Sequence, residues 1–275
     1  MEISTHKKLM QRLAREYFYN GCNGVCNLLR NEKPAMTYPV GEMICRQYIE
    51  IPYIVNMLVN EFGIDVTHPN SMLIRTAFNK AFIYKKGHYS KAWQSIRILA
   101  KAGADLSYIV NRVNSGAIYK NICNALPVML LHISDVLLSK LIKSGLDPNH
   151  HDPIYNENIL ETALNIHKYD MARVIVDAGG KLSKWSYQLD ESIRAITNMH
   201  ITLPVKLVLA HPEFPWKTAK CYARLRRAAR RYTFNLMYKF VALDRRMDDA
   251  SPMKYDFFVS ISASMLDAFM LAKIL

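Results

Sequence analysis

Ser95-Ile96-Arg97-Ile98-Leu99-Ala100-Lys101-Ala102-Gly103-Ala104-Asp105 is a helix-spaced apolar run that stops on a glycine and leads into an aspartate. Variants of the same phrase recur along the chain. Ile54 to Glu61 leads into Phe62-Gly63-Ile64-Asp65, Leu137 to Ser144 into Gly145-Leu146-Asp147, and Met171 to Ala178 into Gly179-Gly180-Lys181. The glycines at 63, 103, 145 and 179 stand 40, 42 and 34 residues apart. A unit recurring on this scale predicts a solenoid, in which each unit covers its apolar face by stacking on the next. The glycine has a mechanical role, because a helix commonly ends on a residue in the left-handed region, which glycine enters without a Cβ penalty. The aspartates can accept hydrogen bonds from nearby backbone N–H groups in the turn that follows.

The fullest copy runs from Glu161 to Gly180, ETALNIHKYDMARVIVDAGG. It resembles an ankyrin repeat. Thr162, Ala163, Leu164 and Asn165 fall on the family's Thr-Pro-Leu-His turn, with Ala163 in place of the proline and Asn165 in place of the histidine. Gly145-Leu146-Asp147-Pro148-Asn149 and Gly103-Ala104-Asp105-Leu106 are similar to the Gly-Ala-Asp-Val-Asn ending. The resemblance covers residues 12–212 and is densest in the third to fifth units. It implies an all-α, ankyrin-like helical-repeat solenoid that docks another protein. Two of the steps exceed the family's period of ~33 residues, which implies insertions in the outer loops.

Read on this frame, the chain parses into six units and a cap. Arg12 to Arg30 is a first helical pair with Asn20-Gly21 at its turn, and Ile44 to Glu61 a second, with Pro52 opening its second helix. Leu73 to Ala102 is a third, interrupted by Lys85-Lys86-Gly87-His88, and Ile118 to Ser144 a fourth, with Pro127 and Val128 to Ile133 in its first helix. Ile159 to Ala178 is the fifth. Ser192 to His211 is the sixth, with Pro204 opening its second helix. Ile96, Leu99, Leu138, Leu141, Val174 and Val176 suit the interior between helix layers. The expected organisation is a repeat array over 1–212 and a basic helical C-terminal unit and cap over 213–275.

Composition agrees with a soluble helical protein. Of 275 residues, 51% are hydrophobic, enough for a continuous core, and only 10 glycines and 11 prolines leave no room for a long flexible linker. No stretch approaches the ~20 apolar residues of a membrane-spanning helix. Met1 to Glu16 carries Lys7, Lys8, Arg12 and Arg15 with no apolar run behind them, which speaks against a secretory signal. The five cysteines show no paired spacing, as expected of reduced thiols in the cytoplasm. Cys22 and Cys26 lie one helical turn apart without a second ligand pair, so they read as core thiols and no metal is expected.

The character changes after Pro212. Lys217 to Arg246 holds ten basic residues and a single acid, Asp244, against a net charge of +13 for the whole chain. Tyr222, Leu225, Ala229, Tyr232, Leu236, Phe240 and Leu243 form one helical stripe, while Lys220, Arg224, Arg227 and Arg231 form the opposite one. With Arg230, that second stripe is a candidate anion-binding surface for nucleic-acid phosphates, an acidic protein face or anionic headgroups. The bland alternative is a solvated basic face. The two tyrosines lie on the packing stripe, away from the arginines.

Enzyme signatures are missing: the chain has no phosphate-binding glycine loop, no Gly-x-Ser-x-Gly elbow and no HExxH. His150-His151-Asp152 falls in an inter-unit loop, where an inert loop is the first reading, a polar tip meeting a partner the second, and a metal site the last. The expected function is therefore non-enzymatic and cofactor-free. The partner-binding candidates are Tyr108, Asn149, His150, His151, Tyr155, Trp185 and Tyr187, with the tyrosines and the tryptophan as anchors. Irregular units and 16 tyrosines suggest a free-standing specialised array. Such arrays resemble those that viruses, phages and intracellular bacteria use to occupy a host protein, which implies an inhibitor or adaptor in the host cytoplasm. The alternative is a nucleic-acid-associated protein that uses the basic helix at 217–246.

Overall fold

The computed structural model describes residues 2–34, 36–83, 89–118, 125–154, 156–183, 191–196, 202–211, 216, 222–244 and 270. Among the described residues the architecture is all-α apart from one two-stranded ribbon. The chain divides into two compact units, Met1–Asp147 and Pro148–Leu275.

The first unit contains α1 (Glu2–Glu32), α2 (Tyr38–Gln47), α3 (Pro52–Asn60), α4 (Leu73–Ile83), α5 (Tyr89–Lys101), α6 (Ser107–Asn114), α7 (Ala125–His132) and α8 (Asp135–Lys143). Gly21 breaks the helical backbone of α1, with φ 62° and ψ −151°, at the position expected for the first turn. Pro52 occupies the first turn of α3, where its missing N–H leaves no helical bond unmade. The short helix α6 lies between the expected third and fourth pairs and was not anticipated. Its residues Ile109, Val110 and Val113 are buried. The core follows the apolar spacing: Leu58, Ile96, Leu99, Leu138 and Leu141 are fully enclosed, and α5 packs against α3, α4, α7 and α8. At the α4–α5 junction Trp93 meets Phe78 and Phe82 edge-on, at 5.8 and 5.7 Å between ring centres. The expected interruption at Lys85 to His88 lies outside the described residues.

In the second unit, β1 (His151–Asp152) pairs antiparallel with β2 (Glu157–Asn158), in the register His151 to Asn158 and Asp152 to Glu157. Helices α9 (Ile159–Asn165), α10 (Tyr169–Asp177), α11 (Thr202–Ala210) and α12 (Tyr222–Asp244) follow, and residues 191–196 are also helical. Asn158 and Glu161 form a capping box at the start of α9. The buried Glu161 carboxylate also accepts hydrogen bonds from the Ser183 N–H and hydroxyl, at 2.8 and 2.7 Å. A buried carboxylate is tolerable in that setting because its oxygens meet donors on both sides.

The recurrent phrase folds the same way in three copies. The Ala104 N–H donates to the Leu99 carbonyl and the Gly103 N–H to the Ala100 carbonyl. Leu146 and Gly145 do the same with Leu141 and Ile142, and Gly180 and Gly179 with Ile175 and Val176. Each is a paired closure of a helix C-terminus around a left-handed residue, and Gly103, Gly145 and Gly179 have φ of 96°, 100° and 86°. At the first copy the Ile64 N–H reaches one residue further back, to Leu58. After two of the turns the aspartate captures the backbone two residues on: Asp65 Oδ1 accepts from the Thr67 N–H and Asp105 Oδ1 from the Ser107 N–H, both at 2.9 Å. At the sixth unit, where glycine is lost, His211 closes the helix by donating its N–H to the Val208 carbonyl.

Candidate functional site

Two surfaces of the second unit and one groove of the first carry the side chains from which a site could be built. The first surface is the ribbon between Asn149 and Asn158. Its base is held by Asn149, whose Oδ1 accepts the Lys181 N–H at 2.7 Å while its Nδ2 donates to the Gly179 carbonyl at 3.4 Å. One carboxamide thus clamps the turn that ends α10. The first unit repeats the device: Asn114 Nδ2 donates to the Gly145 carbonyl at 2.9 Å, and Asn114 Oδ1 accepts the Asp147 N–H at 3.1 Å. In both cases the asparagine reaches about thirty residues ahead and grips the glycine turn across residues n and n+2.

Above the clamp, the His150 carbonyl accepts the Ile159 N–H at 3.1 Å and fixes the ribbon on α9. The tip folds back on itself, with the Asn156 N–H bonded to the Asp152 carbonyl and the Ile154 N–H to Asp152 Oδ1, both at 2.8 Å. Asn156 sits at φ 52°, a left-handed position that asparagine tolerates better than most residues. The ribbon is thus braced by hydrogen bonds at its base and its tip. His151 is exposed, His150 is half-buried, and Ile154 leaves 49% of its surface in water. Ile154 was not among the sequence candidates, since a lone isoleucine beside Pro153 carries no motif. Tyr155, at the same tip, and Trp185 and Tyr187, further on, lie outside the described residues.

Tyr108 belongs to the first unit, on α6. Its ring is half-buried edge-on to Phe78, its hydroxyl donates to Asn79 Oδ1 at 3.1 Å, and Arg75 stacks over it at 5.5 Å. These contacts occupy much of the ring. In the same unit α3, α5 and α8 enclose a groove of about 510 Å³, lined by Asn56, Arg97, Lys101, Ser134, Val136 and Lys140 among others. The Lys140 ammonium is turned onto the Ala100 carbonyl at 2.7 Å. The described residues that line the groove include no carboxylate, thiol or histidine. Among the described residues, no group of three or more His, Cys, Asp or Glu side chains converges to hold a metal ion.

The second surface is α12. Leu225, Ala228 and Ala229 are buried, and the helix packs on α11. Arg224, Arg226, Arg227, Arg230 and Arg231 are all exposed. At ~100° per residue they spread over roughly 160° of the face opposite the buried stripe. Lys220 lies outside the described residues. Among the described residues no ion pair involves any of the five arginines. Other cations do find carboxylates, as Arg30 does with Glu61 at 2.8 Å and Arg194 with Glu191 at 2.5 Å. The Arg30 pair holds the Glu61 carboxyl below its ordinary value, chiefly through the hydrogen bond it accepts.

Comparisons with known protein families, characterised proteins and solved structures give no match to this chain. Among the described residues no single helix is long and apolar enough to cross a membrane. Helices α7 and α8 would pass by composition only as a pair, and they meet at a bend of 119°.

Proposed function

We propose that this chain is a non-enzymatic protein–protein interaction module of ankyrin-like units, an inhibitor or adaptor that acts by covering part of a target's surface. The observation that carries the reading is the repeated glycine turn with its asparagine clamp, found at Gly145–Asp147 and again at Gly179–Lys181. Two stretches of sequence that build the same turn and grip it in the same way support a repeat-built scaffold. A scaffold of this kind holds loops stiffly, and stiff loops lose little conformational freedom when they bind. The ribbon tip supports the binding role. It offers an aliphatic knob, Ile154, beside the polar His151, a mixture suited to a partly apolar contact with a polar rim. Surface occlusion needs no catalytic group. A protein target in the cytoplasm of a host cell is the setting that fits a divergent array of this kind.

The test is affinity capture by the tagged full chain, run with nuclease and at high salt, beside an H151A/I154D variant. Both positions are exposed, so the variant should keep the fold, which circular dichroism checks. The proposal expects a stoichiometric protein partner that survives nuclease and salt and is lost from the variant. A partner retained equally by the variant would refute the ribbon as the contact, and capture abolished by nuclease would refute the protein-docking reading.

A further inference from the structure

The helix α12 has a feature that its sequence pattern hid. Phe234 lies three residues beyond Arg231, four beyond Arg230 and seven beyond Arg227, so it shares the arginine face rather than the packing stripe. It is 69% exposed. Phe234 thus stands exposed on the same face as five arginines that, among the described residues, form no ion pair. Its burial would be favoured by the hydrophobic effect, yet the fold leaves it on the charged face.

We infer that the Arg224–Phe234 face of α12 binds single-stranded nucleic acid, with the arginines on the phosphates and the Phe234 ring stacked on a base. Three observations favour this occupant. All five described cations are arginine, whose planar fork grips phosphate oxygens in pairs, where lysine offers only a point charge. Among the described residues no carboxylate pairs with any of them. The exposed ring supplies the sequence-tolerant stacking platform that single-strand binders combine with a basic track. From Arg224 to Phe234 the helix rises about 15 Å, the length of four or five stacked nucleotides at ~3.4 Å each. A base paired within a duplex cannot turn its face to the ring without leaving the stack, so an intact duplex would meet only the arginines. An anionic bilayer fits less well. Leu225, Ala228 and Ala229 are already buried, so among the described side chains between Arg224 and Phe234 the outer face carries one aromatic ring, where an interfacial helix presents a whole apolar side. This inference is independent of the ribbon and its protein partner.

The experiment is fluorescence anisotropy of the full chain with a fluorescein-labelled dT20 strand, a 20-base-pair duplex, and phosphatidylserine vesicles, over a range of salt. The inference expects tighter binding to dT20 than to the duplex or the vesicles. Phe234→Ala and Phe234→Leu should each weaken dT20 binding about 5- to 100-fold, the effect of losing one base stack, and leave the salt slope unchanged. The duplex should respond less than twofold. The pair Arg227→Gln and Arg231→Gln should instead reduce the slope of log K against log salt by about 1.4, from ~0.7 per phosphate contact. Circular dichroism confirms that each variant retains its helix content. Three outcomes overturn the inference: full dT20 affinity in both Phe234 variants, preference for the duplex, or binding to vesicles without binding to dT20.

Discussion

Replacing Asn114 or Asn149 by alanine removes a clamp without disturbing the apolar core, since both side chains act through hydrogen bonds at the surface. Asn114 makes two bonds of ordinary length, 2.9 and 3.1 Å, to the Gly145–Asp147 turn. Asn149 makes one short bond of 2.7 Å and one long bond of 3.4 Å to Gly179–Lys181. A net value of ~1 kcal/mol per bond gives about 2 kcal/mol for Asn114→Ala. The longer bond is weak, so Asn149→Ala should cost about 1 to 1.5 kcal/mol. The losses are local, so they are best read by native-state hydrogen exchange at the gripped amides. Asn114→Ala should speed exchange of the Asp147 N–H roughly 30-fold, and Asn149→Ala should speed that of the Lys181 N–H about 5- to 10-fold. Each variant should leave the other's reporter within twofold, because the four bonds described for the two clamps go to different turns. If both amides keep wild-type protection in their own variants, the clamps do not hold the turns. If each variant loosens both amides equally, the two turns belong to one cooperative unit and the local account fails.

Other consequences follow from the same geometry. Gly103→Ala places a Cβ on a backbone with φ 96° and should destabilise the chain by about 1–2 kcal/mol in urea unfolding, where a substitution at an exposed helical site would be neutral. Burial pushes the Cys45 thiol up to about 12 and raises that of Cys26. Iodoacetamide at pH 8 should therefore modify the half-buried Cys22 well before either of them, as peptide mass mapping will resolve. Asp65, which accepts hydrogen bonds from Thr67, and Glu61, paired with Arg30, titrate below their ordinary values of 3.8 and 4.5. The sign is that of a depressed carboxylate: both contributions are complete above about pH 4.5 and fade as the pH falls through the folded-state values. A D65N/E61Q variant should accordingly lose less stability than wild type between pH 5 and about pH 3 in thermal scans.

The helical architecture was legible because glycine at a helix end has a single dominant use, and Gly103, Gly145 and Gly179 all adopt the left-handed backbone expected of them. The turn at Gly21 and the helices opening near Pro52 and Pro127 were readable for the same local reason. Helix α6 was missed because Ser107–Asn114 is short and lies where the repeat frame expected a loop, so only its burial of Ile109 and Val113 distinguishes it. The ribbon at His151–Asn158 was invisible since two-residue strands carry no alternation to detect. The clamps were hidden because an asparagine's partner about thirty residues away leaves no local trace. Asn149 was singled out as a contact residue, and its carboxamide turns out to grip the scaffold's own turn. Arg224, Arg227, Arg230 and Arg231 lie exposed on one side of α12, as the helical wheel required. Phe234 carries no motif of its own and stands on the side of α12 opposite the packing stripe.

The measurement that tests the docking account most directly is hydrogen–deuterium exchange of the full chain with and without the captured protein partner. The account predicts protection of the ribbon amides between Asn149 and Asn158, where His151 and Ile154 would be covered, and no change along α12. Protection confined to α12 with an unchanged ribbon would contradict it.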